Sequence, residues 1–280
     1  MDRIATPQTN QMSRTELDER FRFIESVCFF GCRLTSIHLQ KVFGIGRIQA
    51  SRDINRYKRL HPENLIYDTT LRGYRCSDNF ECFYSNNTID EFAYFTQQLR
   101  QYHPGENLCD TIFIFGMPMV SYHGRDVEPF ITSIRQQQLL KVTTPEKSFL
   151  FAPHRLVVVQ SFVTLRGLNL SNQQYECHNI EGLFDNFVVE GHADAAPEND
   201  VLWNSKIAID FSNEQSARLT EKRIPLALVP QYCRLLNLKV SLNDLEALPL
   251  AEKDLNRVKE LLEDYLDTNK DALIRIQTIG

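Results

Sequence analysis

The stretch FGIGRIQASRDINRYKRLHPENLIYDTTLRGYRCSDNF, Phe43 to Phe80, decides how the front of this chain folds. Gly44-Ile45-Gly46 breaks the chain ahead of a segment, Arg47 to Leu60, in which Ala50, Ile54 and Tyr57 recur at i, i+4 and i+7. Gln49, Arg52, Arg56 and Arg59 fall on the other side at i, i+3, i+7 and i+10, so the spacing predicts a helix that packs with one face and is cationic on the opposite one. Pro62 closes it. Leu65-Ile66-Tyr67 and Tyr74-Arg75-Cys76 then flank a polar turn, Asp68 to Gly73, the pattern of a small β-hairpin.

Working back toward the N-terminus, Ser36 to Phe43 reads as a short helix with Thr35 as its cap and the glycines as its stop. Leu17, Phe21, Ile24 and Val27-Cys28 mark an earlier amphipathic helix, with Ser13 or Thr15 as N-cap candidates and Gly31 as its end. Residues 1–12 are polar and unpatterned, as in a flexible arm. Three helices followed by a hairpin is a winged helix-turn-helix pattern.

Charge sharpens that expectation. The whole chain of 280 residues carries a formal net charge of −5, which rules out a globally basic nucleic-acid coat. From Gly44 to Cys76 the balance reverses: Arg47, Arg52, Arg56, Lys58, Arg59, Arg72 and Arg75 stand against only Asp53, Glu63 and Asp68. A helix fits the major groove of DNA, where Arg pairs with guanine and Gln or Asn with adenine, so Gln49, Arg52, Asn55 and Arg56 are the expected base readers. Lys58, Arg59 and Arg72 are expected at phosphates, which supply affinity and register. With Arg47 and Ser51 these residues make up the expected DNA-binding set. A solvated cationic helix face is the plain alternative, and the joint order of helices, turn and hairpin weighs against it.

Behind this unit the sequence predicts a helix from Ile89 to Tyr102, a strand from Thr111 to Phe115 and a helix from Val127 to Gln138. Short apolar runs at Leu139–Val142, Phe149–Ala152, Leu156–Val159, Phe162–Leu165 and Ile180–Phe184 then predict a strongly bent sheet or barrel. A strand at Lys206–Phe211, helices at Leu226–Leu238 and Leu255–Leu266 and a closing strand at Ala272–Ile276 complete the reading. No apolar run approaches the roughly 20 residues that a spanning helix needs, so no membrane partner and a cytoplasmic location are expected. Seven cysteines without a CxxC pair fit a reducing compartment and read as buried, inert thiols rather than a zinc site.

The Phe43–Phe80 stretch resembles the winged helix-turn-helix of bacterial WYL-domain transcriptional regulators, especially those that accompany anti-phage defence systems. Phe43-Gly44-Ile45, Gln49-Ala50-Ser51, Arg56-Tyr57 and Asn64-Leu65-Ile66-Tyr67-Asp68 carry the likeness. The resemblance implies an α+β chain of four parts: a winged helix-turn-helix (13–80), a helical connector (81–126), a WYL-like, SH3-like β-barrel (127–188) and a C-terminal α/β extension and dimerisation domain (189–280). Pro153-His154-Arg155-Leu156-Val157 looks like the family's Pro-His-x-Leu strand, and Leu165, Arg166 and Gly167 fall where its Leu-Arg-Gly stands. His154, Arg155 and Arg166 are therefore the expected ligand-binding residues, for a nucleotide or nucleic-acid effector. Val163, Thr164 and Leu168 replace aromatic positions and cannot stack on a base.

Other constellations are weak. His192, Asp194 and Asp200 lie in a polar stretch without a phosphate cradle or nucleophile elbow and read as a solvated connector. Neither a catalytic nor a metal site is expected, nor any cofactor. The expectation is a homodimeric repressor on a palindromic double-stranded DNA operator; a protein–protein adaptor whose winged fold does not meet DNA is the alternative.

Overall fold

A computed structural model describes residues 16–103, 106–115, 118, 122–159, 162–193, 197–209, 223–228 and 276–278. The expected helix caps Ser13 and Thr15 fall outside them, as do residues 229–275, which include most of one C-terminal helix reading and all of the other.

The first helix, α1 (Glu16–Phe29), buries Phe21, Phe23, Ile24, Val27 and Cys28 and ends before Gly31, whose φ of 72° is left-handed. α2 (Ser36–Phe43) stops at Gly44, also left-handed with φ 63°, and α3 (Arg47–Leu60) follows from Gly46. Strands β1 (Leu65–Asp68) and β2 (Gly73–Cys76) pair antiparallel with Asp68 opposite Gly73, and Leu34 adds a bridge to Tyr74 on the other edge. The N-terminal domain is a winged helix-turn-helix within an α+β chain.

The helix α4 (Ile89–Tyr102) is part of the same core. Phe23 meets Phe43 and Phe95 edge to face at 5.5 and 5.1 Å, and Phe30 packs on Phe92 at 4.8 Å, so α1, α2 and α4 share one aromatic cluster. Phe23, Phe30, Phe92 and Phe95 are fully buried, and each such ring stabilises the fold by about 1.5–3 kcal/mol.

The strand β3 (Ile112–Phe115) pairs in parallel with the C-terminal half of β5 (Ser148–Val159). Around it lie α5 (Gly124–Arg135), β4 (Gln138–Thr143), β6 (Phe162–Asn169), β7 (Gln174–Asn179) and β8 (Phe187–His192), the sheet path being β7-β6-β5-β4-β8. The two runs expected as separate strands are one long strand, β5. Pro153 lacks an N–H, but it sits at an irregularity in the ladder opposite Gly167, so the strand continues through it. A Cβ on Gly167 would fall 2.3 Å from the Ala152 carbonyl oxygen, which explains glycine there.

Two expectations are corrected. Ile180–Phe184 is not a strand: it opens with a 3-10 turn, Ile180–Gly182, that carries the chain from β7 toward β8. β7 and β8 lie at opposite ends of the path and do not pair with each other, so the expected SH3-like barrel is an open sheet among the described residues. β7, with the sequence QYECHN, shows no apolar run.

Near the end, α6 (Val201–Asn204) is a single turn leading into β9 (Lys206–Ile209), which pairs antiparallel with β10 (Arg223–Pro225) and β11 (Ile276–Thr278). Of the expected helix Leu226–Leu238, the described residues form a 3-10 turn, Leu226–Leu228.

Candidate nucleic-acid interface

In α3 the positions Ala50, Asp53, Ile54 and Tyr57 are buried, while Arg47, Gln49, Arg52, Asn55, Arg56 and Arg59 are exposed and Ser51 and Lys58 half-buried. The structure thus brings all of the expected set except Arg72, which lies on the hairpin, together along one side of one helix. Arg47, Arg52, Arg56 and Arg59 have no ion-pair partner within 4 Å among the described residues. Gly46 caps the helix without a side-chain hydrogen bond, so its first N–H groups stay open toward an anion. Ile48, 70% exposed, stands beside the arginines as an apolar contact on the same end of the helix.

The packed side of α3 is held by polar groups that sequence spacing did not reveal. Asp53 is buried, and its Oδ2 forms an ion pair with Arg20 Nε of α1 at 2.7 Å. Its Oδ1 also accepts Gln49 Nε2 at 2.8 Å, one helical turn away, which orients the Gln49 amide at the exposed edge. Tyr57 Oη donates to Glu25 Oε1 at 2.9 Å and accepts from Asn64 Nδ2 at 2.7 Å. Glu25, fully buried in α1, additionally accepts the backbone N–H groups of Phe83, Tyr84 and Ser85 at 2.7–3.0 Å. Burial, with the Glu25 charge beside it, pushes the Tyr57 phenol far up, so it remains a donor. The signal was present, since Phe21, Glu25 and Cys28 lie at i, i+4 and i+7 and put a carboxylate on the apolar stripe.

The hairpin is built to stand out. Asp68 Oδ1 accepts the N–H groups of Thr70 and Leu71, both at 2.9 Å, and these bonds, the one from Leu71 foremost, hold its carboxyl below the usual range. Arg72, exposed at the tip, takes a left-handed φ of 51°. Arg33 Nη1 donates to the Leu71 carbonyl at 3.0 Å, and a Cβ on Gly73 would meet Arg33 Cγ at 2.5 Å. Lys58 Nζ lies 4.9 Å from the centre of the Tyr74 ring, tying the end of α3 to the hairpin.

The second expected cluster has a different character. His154 on β5 and Arg166 on β6 are buried and converge on Asp200, which is only 1% exposed. Arg166 Nε and Nη2 grip its two oxygens at 2.7 and 2.8 Å, and His154 Nε2 reaches Oδ2 at 2.9 Å. Burial works to raise the Asp200 carboxyl, but His154 and Arg166 outweigh it and the net direction is down. Burial pulls the His154 imidazole down against the opposing pull of Asp200. Asp200 also caps α6 by accepting the Trp203 N–H at 3.1 Å, and the Arg155 guanidinium lies 5.1 Å over the Trp203 ring. The solvated connector expected around Asp200 is thus corrected: its carboxylate is the internal counter-ion of the cluster. An Asp directly before Val201-Leu202-Trp203 is an N-cap signal that spacing alone could have exposed.

Residues 16–109 match the family model described as the BrxR transcriptional regulator winged helix-turn-helix domain. The chain is 30% identical over 87 residues to the DNA-binding transcriptional repressor CapW of Pseudomonas aeruginosa, covering 31% of this chain and 29% of that protein. It is 29% identical over 89 residues to the repressor of the same name from Escherichia coli strain KTE188, covering 32% and 30% respectively. The aligned region spans about three-tenths of the length of these curated relatives.

Proposed function

We propose that this chain is a sequence-specific DNA-binding transcriptional regulator that acts as a homodimeric repressor. The observation that carries the reading is the unpaired, exposed arginine row of α3, backed by a buried polar scaffold whose charges are all committed internally. Charge left without a partner on a rigid helix is suited to an external polyanion, because its desolvation is repaid only on binding. The likeness of the N-terminal third to repressors of that description supports it.

In this reading Gln49, Arg52, Asn55 and Arg56 meet base edges, while Arg47, Ser51, Lys58, Arg59 and Arg72 meet the backbone. Two copies, joined through residues 189–280, present their recognition helices to half-sites about one turn apart. Residues 81–126 connect the winged domain to a WYL-like unit, 127–188, whose His154, Arg155 and Arg166 answer to an anionic effector. Because Asp200 holds two of these groups, such an effector has to displace a carboxylate to reach them. Control of anti-phage defence genes and a cytoplasmic location belong to the same proposal.

Footprinting on the DNA upstream of its own gene tests it. A protected pair of half-sites, with log K falling about 0.9 per phosphate contact per decade of salt, is the expected result. The absence of any protected site on chromosomal DNA overturns it and favours the adaptor reading, in which the α3 face binds an acidic protein.

A further inference from the structure

Gln49 and Asp53 stand one turn apart on α3, one exposed and the other buried. Asp53 is fixed from α1 by the ion pair between its Oδ2 and Arg20 Nε at 2.7 Å. Its Oδ1 accepts a hydrogen bond from Gln49 Nε2 at 2.8 Å. A carboxylate paired with a guanidinium can only accept, so the nitrogen of the Gln49 amide has to be the end that turns toward it. The Gln49 Oε1 and its second N–H carry no other hydrogen bond among the described residues.

We propose that Asp53 is a positioning residue that makes Gln49 select adenine and reject guanine in the major groove. The inference rests on the DNA-binding reading above and names the base that one of its readers takes. Adenine presents one acceptor, N7, and one donor, its N6 amino group, whereas guanine presents two acceptors, N7 and O6. An unrestrained glutamine amide can serve either base, offering Oε1 and one N–H to adenine or both N–H groups to guanine. With one N–H committed to Asp53, a single donor and the carbonyl acceptor remain. That pair matches adenine. Cytosine can use only the acceptor and thymine only the donor.

The anchoring from a second helix is what turns a helical hydrogen bond into a specificity device. A glutamine free in water samples many rotamers, and ordering it on binding costs affinity. Here part of that ordering is done in the free protein, because Arg20 of α1 holds the carboxylate that holds the amide. The neighbouring Arg52 and Arg56 have donors only and suit guanine. Gln49 supplies the acceptor that those arginines lack, so the same helix can read both purines at different positions.

The test selects duplexes from a random pool with the full wild-type chain and with Gln49→Ala. The wild type is expected to fix an adenine in each half-site at a position where Gln49→Ala shows no preference. Exchanging that adenine for guanine should weaken wild-type binding by about 5- to 150-fold. Asp53→Asn, whose amide can also donate, releases the Gln49 amide to turn and should shrink that ratio toward one. A folded Asp53→Asn chain that binds both duplexes more weakly but keeps the wild-type ratio would show a merely structural role and overturns the proposal. Guanine at the Gln49-dependent position, or no such position, overturns it on the wild type and Gln49→Ala alone, even where Asp53→Asn does not fold. A wild-type chain that selects no duplex at all instead overturns the DNA-binding reading, and this inference with it.

Discussion

Two groups of basic residues, one on α3 and one on β5 and β6, are both expected from the sequence to meet anions, yet the fold treats them in opposite ways. The arginines of α3 are solvated and without ion pairs among the described residues, whereas Arg166 and His154 are buried around Asp200. A charge meant for an external anion stays in water until that anion arrives. A charge taken into the interior needs its own carboxylate, since an unpaired buried ion costs several kcal/mol. The contrast sets Asp200, committed internally, against Arg52, the proposed base reader, and the two can be separated by experiment.

The largest effect is expected at the buried cluster. Asp200→Ala leaves Arg166 without its counter-ion and should destabilise the fold by about 3–5 kcal/mol, read as a lower urea midpoint. Arg166→Ala strands the carboxylate instead and should be destabilising as well, so it cannot serve as a silent probe of effector binding. If either variant unfolds at the wild-type midpoint, the internal ion pair is not what holds that region.

Arg52→Ala should show the reverse profile. Its unfolding midpoint should match the wild type, while operator affinity falls by about 1–3 kcal/mol and discrimination at one base position relaxes. Wild-type affinity in a gel shift would remove Arg52 from the reading face. A smaller effect is expected from Arg59→Ala and Arg72→Ala, each of which should weaken all DNA sequences alike and reduce the slope of log K against log salt by about 0.9. Lys58→Ala should do less, because its ammonium already rests on Tyr74.

The gentlest test is pH. Burial, with Arg33 and Lys41 nearby, brings the His38 imidazole down from 6.5 to about 4. A folded pKa below the unfolded one means that the unfolded chain binds the proton more readily. Stability from His38 is therefore complete above pH 6.5 and is lost as pH falls toward 4. His38→Gln should flatten the dependence of the melting temperature on pH across that window, and an unchanged profile would show that this imidazole does not titrate on unfolding.

Much of the front of the molecule was legible because it follows local rules. Helical spacing of Ala50, Ile54 and Tyr57, the glycines at 44 and 46 and the polar turn between two β-prone runs each act within a few residues. The sheet was less legible. Phe149–Ala152 and Leu156–Val159 read as separate runs, and the irregularity opposite Gly167 lets one strand, β5, run through Pro153. The residues of β7 are mostly polar and half-buried, so no apolar alternation marks its bounds.

The sequence by itself determined where the cationic helix lies and which of its residues are spaced to face outward, since a period of 3.6 residues per turn is a property of the chain alone. Only the tertiary structure decided which charges are spent internally. Glu25 meets the backbone of residues 83–85 and Asp200 meets Arg166 across separations that no local pattern encodes. Burial and pairing are consequences of how distant segments pack, and they separate a cation available to DNA from one already neutralised within the fold.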